Sequence, residues 1–371
     1  MYQLVYVLFA CLAGLNVFAA SVFDRTTIAA PDNSINVDFI EFGAIMTNLR
    51  VKNKRGKLVD VVPGFDDASL YAEQGFWHMN GCIGRYANRI KNGTFSIPIT
   101  KDPQPDGPNV YHTPLNDNNG QDTIHGGIGW DLQNWTRVDR SPTSVKFRRT
   151  DAASENGFPG TVIVTATYSV RNGGVLDMLV HATASEKTPI MVTHHDYFNL
   201  CIEDGCDDNF GHTLQVFASN RLELDGLSIP TGKLLDVTGT PYDFRNGRAL
   251  GAVFEEDPNF VIYDTPLIYD KPPHGNHLSE RPVTLYSNVS GIRLDIRSNQ
   301  PATQVYTGPL LIPRKAAHGG PDKQYGWNST VAIEQEGWLD AINTPEWNVD
   351  QIYSPERPFT WKTEYRFSVV H

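Results

Sequence analysis

Apolar side chains recur at every second position along much of this chain. Val162, Val164, Ala166, Tyr168 and Val170 alternate with Thr161, Thr165, Thr167 and Ser169, the period of a strand with one buried face. Arg171-Asn172-Gly173-Gly174 follows as a turn, and the chain returns through Leu176, Met178, Val180 and Ala182, which predicts a hairpin. Residues 283–286 and 292–296 predict a second hairpin about 288–291. Ile35, Val37 and Phe39 open the pattern, while Tyr365, Phe367 and Val369 close it. Helical periodicity is confined to 67–73, which predicts one or two turns capped by Asp66 or Asp67. The pattern predicts an antiparallel all-β protein without a dividing linker. The stretches 101–120 and 263–281 read as surface loops, of a length that often forms lids or binding edges.

The first 20 residues break the alternation. Leu4 to Ala20 contains no charge, and Val5 through Leu15 is a compact apolar run, short for a bilayer span. Val17-Phe18-Ala19-Ala20 ends it with small residues suited to cleavage near Ala20–Ser21, although no Lys or Arg precedes the run. These features predict a signal peptide over 1–20, one domain over 21–371 and a secreted protein, with no membrane partner after cleavage. Asn92, Asn134, Asn288 and Asn328 each head an Asn-x-Ser/Thr triplet, a candidate N-glycosylation acceptor. Cys11 leaves with the leader; Cys201 and Cys206 are expected to form a short-loop disulfide, leaving Cys82 as a buried thiol. The net charge of −11 argues against nucleic acid or an anionic membrane as partner.

Four clusters could carry chemistry. Gly84-Arg85-Tyr86-Ala87-Asn88-Arg89-Ile90 supplies two guanidiniums and an amide; on a strand, Arg85, Ala87 and Arg89 would share a face. Functionally they would bind hydroxyls, blandly they would make surface ion pairs. His125-Gly126-Gly127-Ile128-Gly129-Trp130 offers backbone that can approach a ligand and a Trp130 face fit to pack on a pyranose. No apolar strand leads into it, so it is not a dinucleotide loop. In Thr193-His194-His195-Asp196-Tyr197-Phe198-Asn199-Leu200 the adjacent histidines point to opposite faces of a strand. That makes a poor metal pair, so no metal is expected, and one imidazole is free for acid–base work. Glu334 and Glu336 share a strand face within 332–343, but sequence does not set the carboxyl spacing that would define a glycosidase.

In this order the clusters resemble the aldose 1-epimerase (galactose mutarotase) family. The likeness runs from Gly43-Ala44 through the clusters at Gly84 and His125 to the one around His195. It continues in Gly239-Thr240-Pro241-Tyr242-Asp243-Phe244-Arg245, Gln304-Val305-Tyr306-Thr307-Gly308 and the segment from Ile333-Glu334 to Asn343. The resemblance implies a β-supersandwich, a free aldose as substrate, no cofactor, and interconversion of α and β anomers. It implies Glu334 as general base and His195 as general acid, with Asn88, Arg89, His125, Asp243 and Gln304 on the sugar hydroxyls. A monomer is expected.

The chain departs from the family pattern where His194 replaces the usual Asn and Asp196 a small polar residue, on either side of His195. Glu336 and Trp338 are also unusual neighbours for the base. Two other classes of function remain at this point. A glycosidase or sugar-phosphate epimerase could use a similar sandwich, the latter needing cations for which only Arg314-Lys315 offers itself. A secreted carbohydrate-binding protein would have no use for the His195/Glu334 pair.

Overall fold

The computed structural model describes residues 21–273, 275–280 and 283–371. The leader at 1–20 lies outside the described residues, so its expected cleavage does too. The described chain folds into three sizeable sheets and several two-stranded ribbons. Thr26–Ala29, Ile35–Phe39, Met46–Lys52 and Leu58–Asp60 form a four-stranded meander. A nine-stranded sheet is built around Val162–Arg171, Val175–Ala184, Phe359–Val369 and Ile292–Ser298. A six-stranded sheet runs in the order Tyr197–Phe198, Val331–Glu336, Ala302–Tyr306, Asp264–Ile268, Asn220–Leu224, Pro230–Asp236.

Both expected hairpins form. Val162–Arg171 pairs antiparallel with Val175–Ala184 from Val162↔Ala184 to Arg171↔Val175, and Val283–Ser287 with Ile292–Ser298. Gly173 and Gly174 take φ of 79° and 73°, the left-handed conformations that turn requires. The alternation places Val164, Ala166 and Tyr168 inside with Met178, Val180 and Trp361. One apolar cluster joins these residues to Val37 and Leu49 of the meander and to Leu267, Val305 and Ile333 of the six-stranded sheet. The structure is thus an all-β sandwich, closed by burial of facing sheets.

Two expectations change. The segment 67–73 yields a single helical turn, Leu70–Glu73, preceded by Ser69; Asp67 accepts from the Ser69 backbone instead of capping the turn directly. Residues 263–281 are not all loop, because Asp264–Ile268 is an interior strand of the six-stranded sheet. Its Pro266 cannot donate to a ladder. The chain tolerates it because pairing to Asn220–Leu224 reaches only Ile268 and Leu267.

Of the four Asn-x-Ser/Thr triplets, Asn92, Asn134 and Asn288 have exposed side chains. Asn328 corrects the expectation: it is buried, its carbonyl accepts from the Asn209 amide, and the two residues after it are buried as well. A glycan there would have to displace packed neighbours. The Cys201–Cys206 disulfide is in place, and Cys82 is a buried free thiol.

Candidate active site

One wall of a cleft follows from sheet register. Along Val331–Glu336, Val331 and Ile333 enter the core, so Ala332, Glu334 and Glu336 face the other way. Glu334 lies directly opposite Gln304 on the next strand, and Gln304 opposite Pro266 on the one beyond. Asp264 pairs with Tyr306. Three neighbouring strands therefore set Glu334, Gln304, Asp264 and Tyr306 along one side of the cleft. Gln304 Nε2 donates to Asp264 Oδ1.

The facing wall is mostly irregular and carries Trp77, His78, Asn88, Arg89, Ile124, His125 and His195, while Tyr197 lines the cleft from the edge strand of the six-stranded sheet. The segment 84–90 is not a continuous strand, so the shared face that a strand would give Arg85, Ala87 and Arg89 does not form. Asn88 adopts φ 56°, and only Arg89–Ile90 forms a short pair with Thr123–Ile124. Arg85, expected beside Arg89, is buried elsewhere. It donates to Asp151 Oδ2 at 2.8 Å, to the Pro159 and Gly160 carbonyls and to Thr188. Asn88 and His125 lock their turns together: the Asn88 amide donates to His125 Nδ1 at 3.1 Å, and the His125 amide to the Asn88 carbonyl at 3.0 Å. Since Nδ1 accepts, the His125 proton sits on Nε2. Gly126 lets the chain after His125 pass close to Gly84, because a Cβ there would lie 2.9 Å from the Gly84 carbonyl oxygen.

His195 is held by its backbone. Its amide donates to Gly81 and its carbonyl accepts from Asn80, at 3.1 and 3.0 Å. The ring packs edge-on to His125, 5.3 Å between centroids, and beside Tyr197. Its Nε2 lies 3.4 Å from Glu334 Oε1, where the two walls meet. Glu334 Oε2 and Gln304 Oε1 are buried with no hydrogen-bond partner among the described residues. Such atoms cost about 1–3 kcal/mol each when unpaired, so their convergence marks a place for a polar ligand.

Electrostatics oppose charge on both members of the pair. Burial raises the Glu334 carboxyl well above its ordinary value, and Glu336, Asp264 and Asp196 raise it further. Burial pushes His195 down to about 3, with His78 acting the same way. Burial thus favours the neutral carboxylic acid and the neutral imidazole over their charged forms. Moving that one proton from Glu334 to His195 creates a base and an acid together, without changing the net charge. Glu336, raised to about 8 by burial, accepts a hydrogen bond from Asn88 Nδ2 at 3.1 Å.

Other sequence candidates are placed differently. Asp243 does not line the cleft: both its oxygens are gripped by Arg245, at 2.8 and 2.7 Å. Asp264, in the stretch read as loop, stands in the cleft instead. Trp130 is buried and donates to Asp151, so it offers no face to a ligand; Trp77 lines the cleft. His78 was not anticipated; its Nδ1 meets Asp131 Oδ2 at 2.7 Å. Arg314 pairs with Asp207 and Lys315 with Asp60, and neither lines the cleft, so the basic pair weighed for a phosphate is not at this site. Among the described residues no group of three or more His, Cys, Asp or Glu is arranged to hold a metal.

The cleft encloses about 180 Å³, below the ~300–1,000 Å³ usual for drug-sized ligands. That suits one small polar molecule. The sequence model of the aldose 1-epimerase family matches residues 24–366. A probable aldose 1-epimerase of Arthroderma benhamiae is 35% identical, over 89% of this chain and 82% of its own length. The galactose mutarotase of Homo sapiens is 32% identical, over 91% and 92%. Among solved structures, an aldose epimerase homologue from C. elegans superposes with a TM-score of 0.81 at 28% identity, covering 94% of this chain and 99% of that one.

Proposed function

The chain belongs to the aldose 1-epimerase family and is an isomerase of sugar anomers, and from that premise we propose that Glu334 and His195 perform its two proton transfers. Anomer exchange moves one proton at the C1 hydroxyl and one at the ring oxygen, two atoms on the same carbon. An acid and a base for that reaction must therefore approach closely, and the 3.4 Å between His195 Nε2 and Glu334 Oε1 is the observation that carries the assignment. Glycosidase carboxyls stand about 5–9.5 Å apart, to leave room for water or a covalent intermediate.

Sugar hydroxyls donating to Glu334 stabilise its ionised form, and the proton passes to His195. Glu334 then takes the C1 hydroxyl proton while the C1–O5 pair of electrons leaves with O5, which takes the proton of His195. The aldehyde that results turns about C1–C2. On closure O5 attacks the other face and returns its proton to His195, and the C1 oxygen regains one from Glu334. Each positioned group contributes roughly 10²–10⁴-fold. Arg89, Asn88, His125 and Gln304 hold hydroxyls of a hexose such as galactose or glucose, with Asp264 in the part first expected of Asp243.

Polarimetry on freshly dissolved α-D-galactose and α-D-glucose tests these roles. Native protein is expected to accelerate the rotation change, and Glu334→Gln and His195→Asn each to lose it while still binding sugar. Full acceleration by either variant overturns the assignment. Sugar binding by native protein without acceleration would instead mark a carbohydrate-binding protein.

We also propose that the protein is secreted and glycosylated. The apolar run before Ala20, the exposed Asn92, Asn134 and Asn288 triplets and the Cys201–Cys206 disulfide support that reading. Glycosidase treatment of protein from its native source should lower its mass; an unchanged mass with an intact N-terminal leader speaks against it.

A further inference from the structure

Behind His195 lies a buried polar group that the proton transfers leave unused. His194 and Asp196 flank His195 in sequence, but neither lines the cleft that His195 lines. Both are almost wholly buried. The Asp196 amide reaches back to the His194 carbonyl at 2.9 Å, so the backbone turns tightly about His195. The side chains close the same turn, with His194 Nδ1 2.7 Å from Asp196 Oδ1. Asp196 Oδ2 accepts from the Tyr365 hydroxyl at 2.7 Å, and His194 Nε2 meets the Tyr168 hydroxyl at 3.1 Å. Tyr365 and Tyr168 stand on Phe359–Val369 and Val162–Arg171, two strands of the nine-stranded sheet. The Asp196 carbonyl accepts from the amide of Ile333, next to Glu334.

We propose that His194 and Asp196 are positioning residues: a clamp, anchored on the nine-stranded sheet by Tyr365 and Tyr168, that holds His195 at its working distance from Glu334. The inference rests on the roles proposed for that pair. His195 needs such a device, because no other side chain among the described residues bonds its Nδ1 to fix the ring. A catalytic imidazole is commonly oriented by a hydrogen bond to its far nitrogen. Without a side-chain partner, its orientation falls to its own backbone and to the residues on either side. Asp196 is bonded to both flanks: to the acid through the turn, and to the base through Ile333. Misplacing reacting groups by about 1 Å costs on the order of 10²-fold in rate, so the clamp acts on turnover more than on sugar affinity.

Steady-state anomer exchange by His194→Ala, His194→Asn and Tyr365→Phe tests the clamp, with folding verified by near-UV circular dichroism. His194→Ala, which removes the side-chain bond, is expected to lower kcat about tenfold or more while KM for galactose changes less than about threefold. His194→Asn restores an N–H beside Asp196 and should return kcat to within about threefold of native. A purely structural network predicts lost stability with native kcat in the folded fraction, and that result for His194→Ala overturns the proposal. If His194→Ala does not fold, Tyr365→Phe decides: a lower kcat at unchanged KM supports the clamp, and native kcat overturns it. Failure of the clamp is distinct from failure of the proton-transfer roles, because His195→Asn would then still be inactive.

Discussion

The two walls of the cleft are built by different means. The wall holding Glu334, Gln304 and Asp264 is three paired strands, where register alone sets which side chains are neighbours. The wall holding His78, Asn88, Arg89, His125 and His195 is irregular chain, with His78, Asn88 and His125 in left-handed conformations. The first is acidic and the second carries the imidazoles and the guanidinium. A regular sheet can gather carboxyls cheaply, but burial, with repulsion from neighbouring carboxyls added to it, then favours their protonated forms, as at Glu334 and Glu336. Irregular chain can aim each donor separately, but needs bonds elsewhere to hold its shape. His195 and Glu334 sit where these two constructions touch.

If the irregular wall depends on remote bonds, the largest effect should come from Arg85. It lies outside the cleft, yet ties 84–90 to Asp151 and to the 159–160 backbone. Arg85→Ala leaves Asp151 buried with its charged partner gone and only Trp130, among the described residues, donating to its carboxylate, and is expected to cost about 3–5 kcal/mol, measured by urea unfolding. A loss below ~1 kcal/mol would mean that the wall is held by other contacts. The strand wall should respond differently to a change in its own carboxylate. Asp264→Asn keeps the shape and removes a charged acceptor, a loss of about 1.5–3 kcal/mol for such a bond. The galactose KM should rise about tenfold or more, with kcat changing far less.

A smaller effect tests the burial of carboxyls in the acidic wall. The Glu336 carboxyl is raised from an ordinary 4.5 to about 8 in the folded protein. Between those values the folded chain holds a proton that the unfolded chain has lost, so this group's contribution to stability falls as pH rises. Glu336→Gln removes that fall. The variant's Tm should therefore decline less than the native Tm between pH 5 and pH 8.5; equal declines would place the Glu336 proton elsewhere. The smallest effect is expected from His125→Asn, which keeps a polar group in the irregular wall. It should weaken sugar binding by roughly 1 kcal/mol, one hydrogen bond, read by isothermal titration.

The strand wall and the irregular wall also differed in how far sequence revealed them. Period-two alternation made the hairpins at 162–184 and 283–298 legible, and it separated His194 from His195 onto opposite faces as the structure has them. Asp264 escaped because Pro266 reads against an interior strand, although pairing on one side ends before it. Asp243 drew the expectation instead, yet Arg245 two residues on holds both its oxygens. Nothing local distinguishes a buried tryptophan from one in a cleft. Trp130 packs so closely on Gly84 that a Cβ there would lie 2.3 Å from its ring, a contact between segments far apart in sequence. Asn88 and Arg89 were found as a motif, but their turn, and the hold of Asn88 on Glu336, belong to tertiary structure.

The central claim is that Glu334 and His195 act as one unit sharing a proton across the junction of the walls. A double-mutant cycle in kcat, read by polarimetry of α-D-galactose, tests it most directly. The account predicts that Glu334→Gln and His195→Asn each lower kcat by about 10²–10⁴-fold, and that the double variant is scarcely slower than either single one. Losses that multiply in the double variant would contradict it, because they would show two groups working independently.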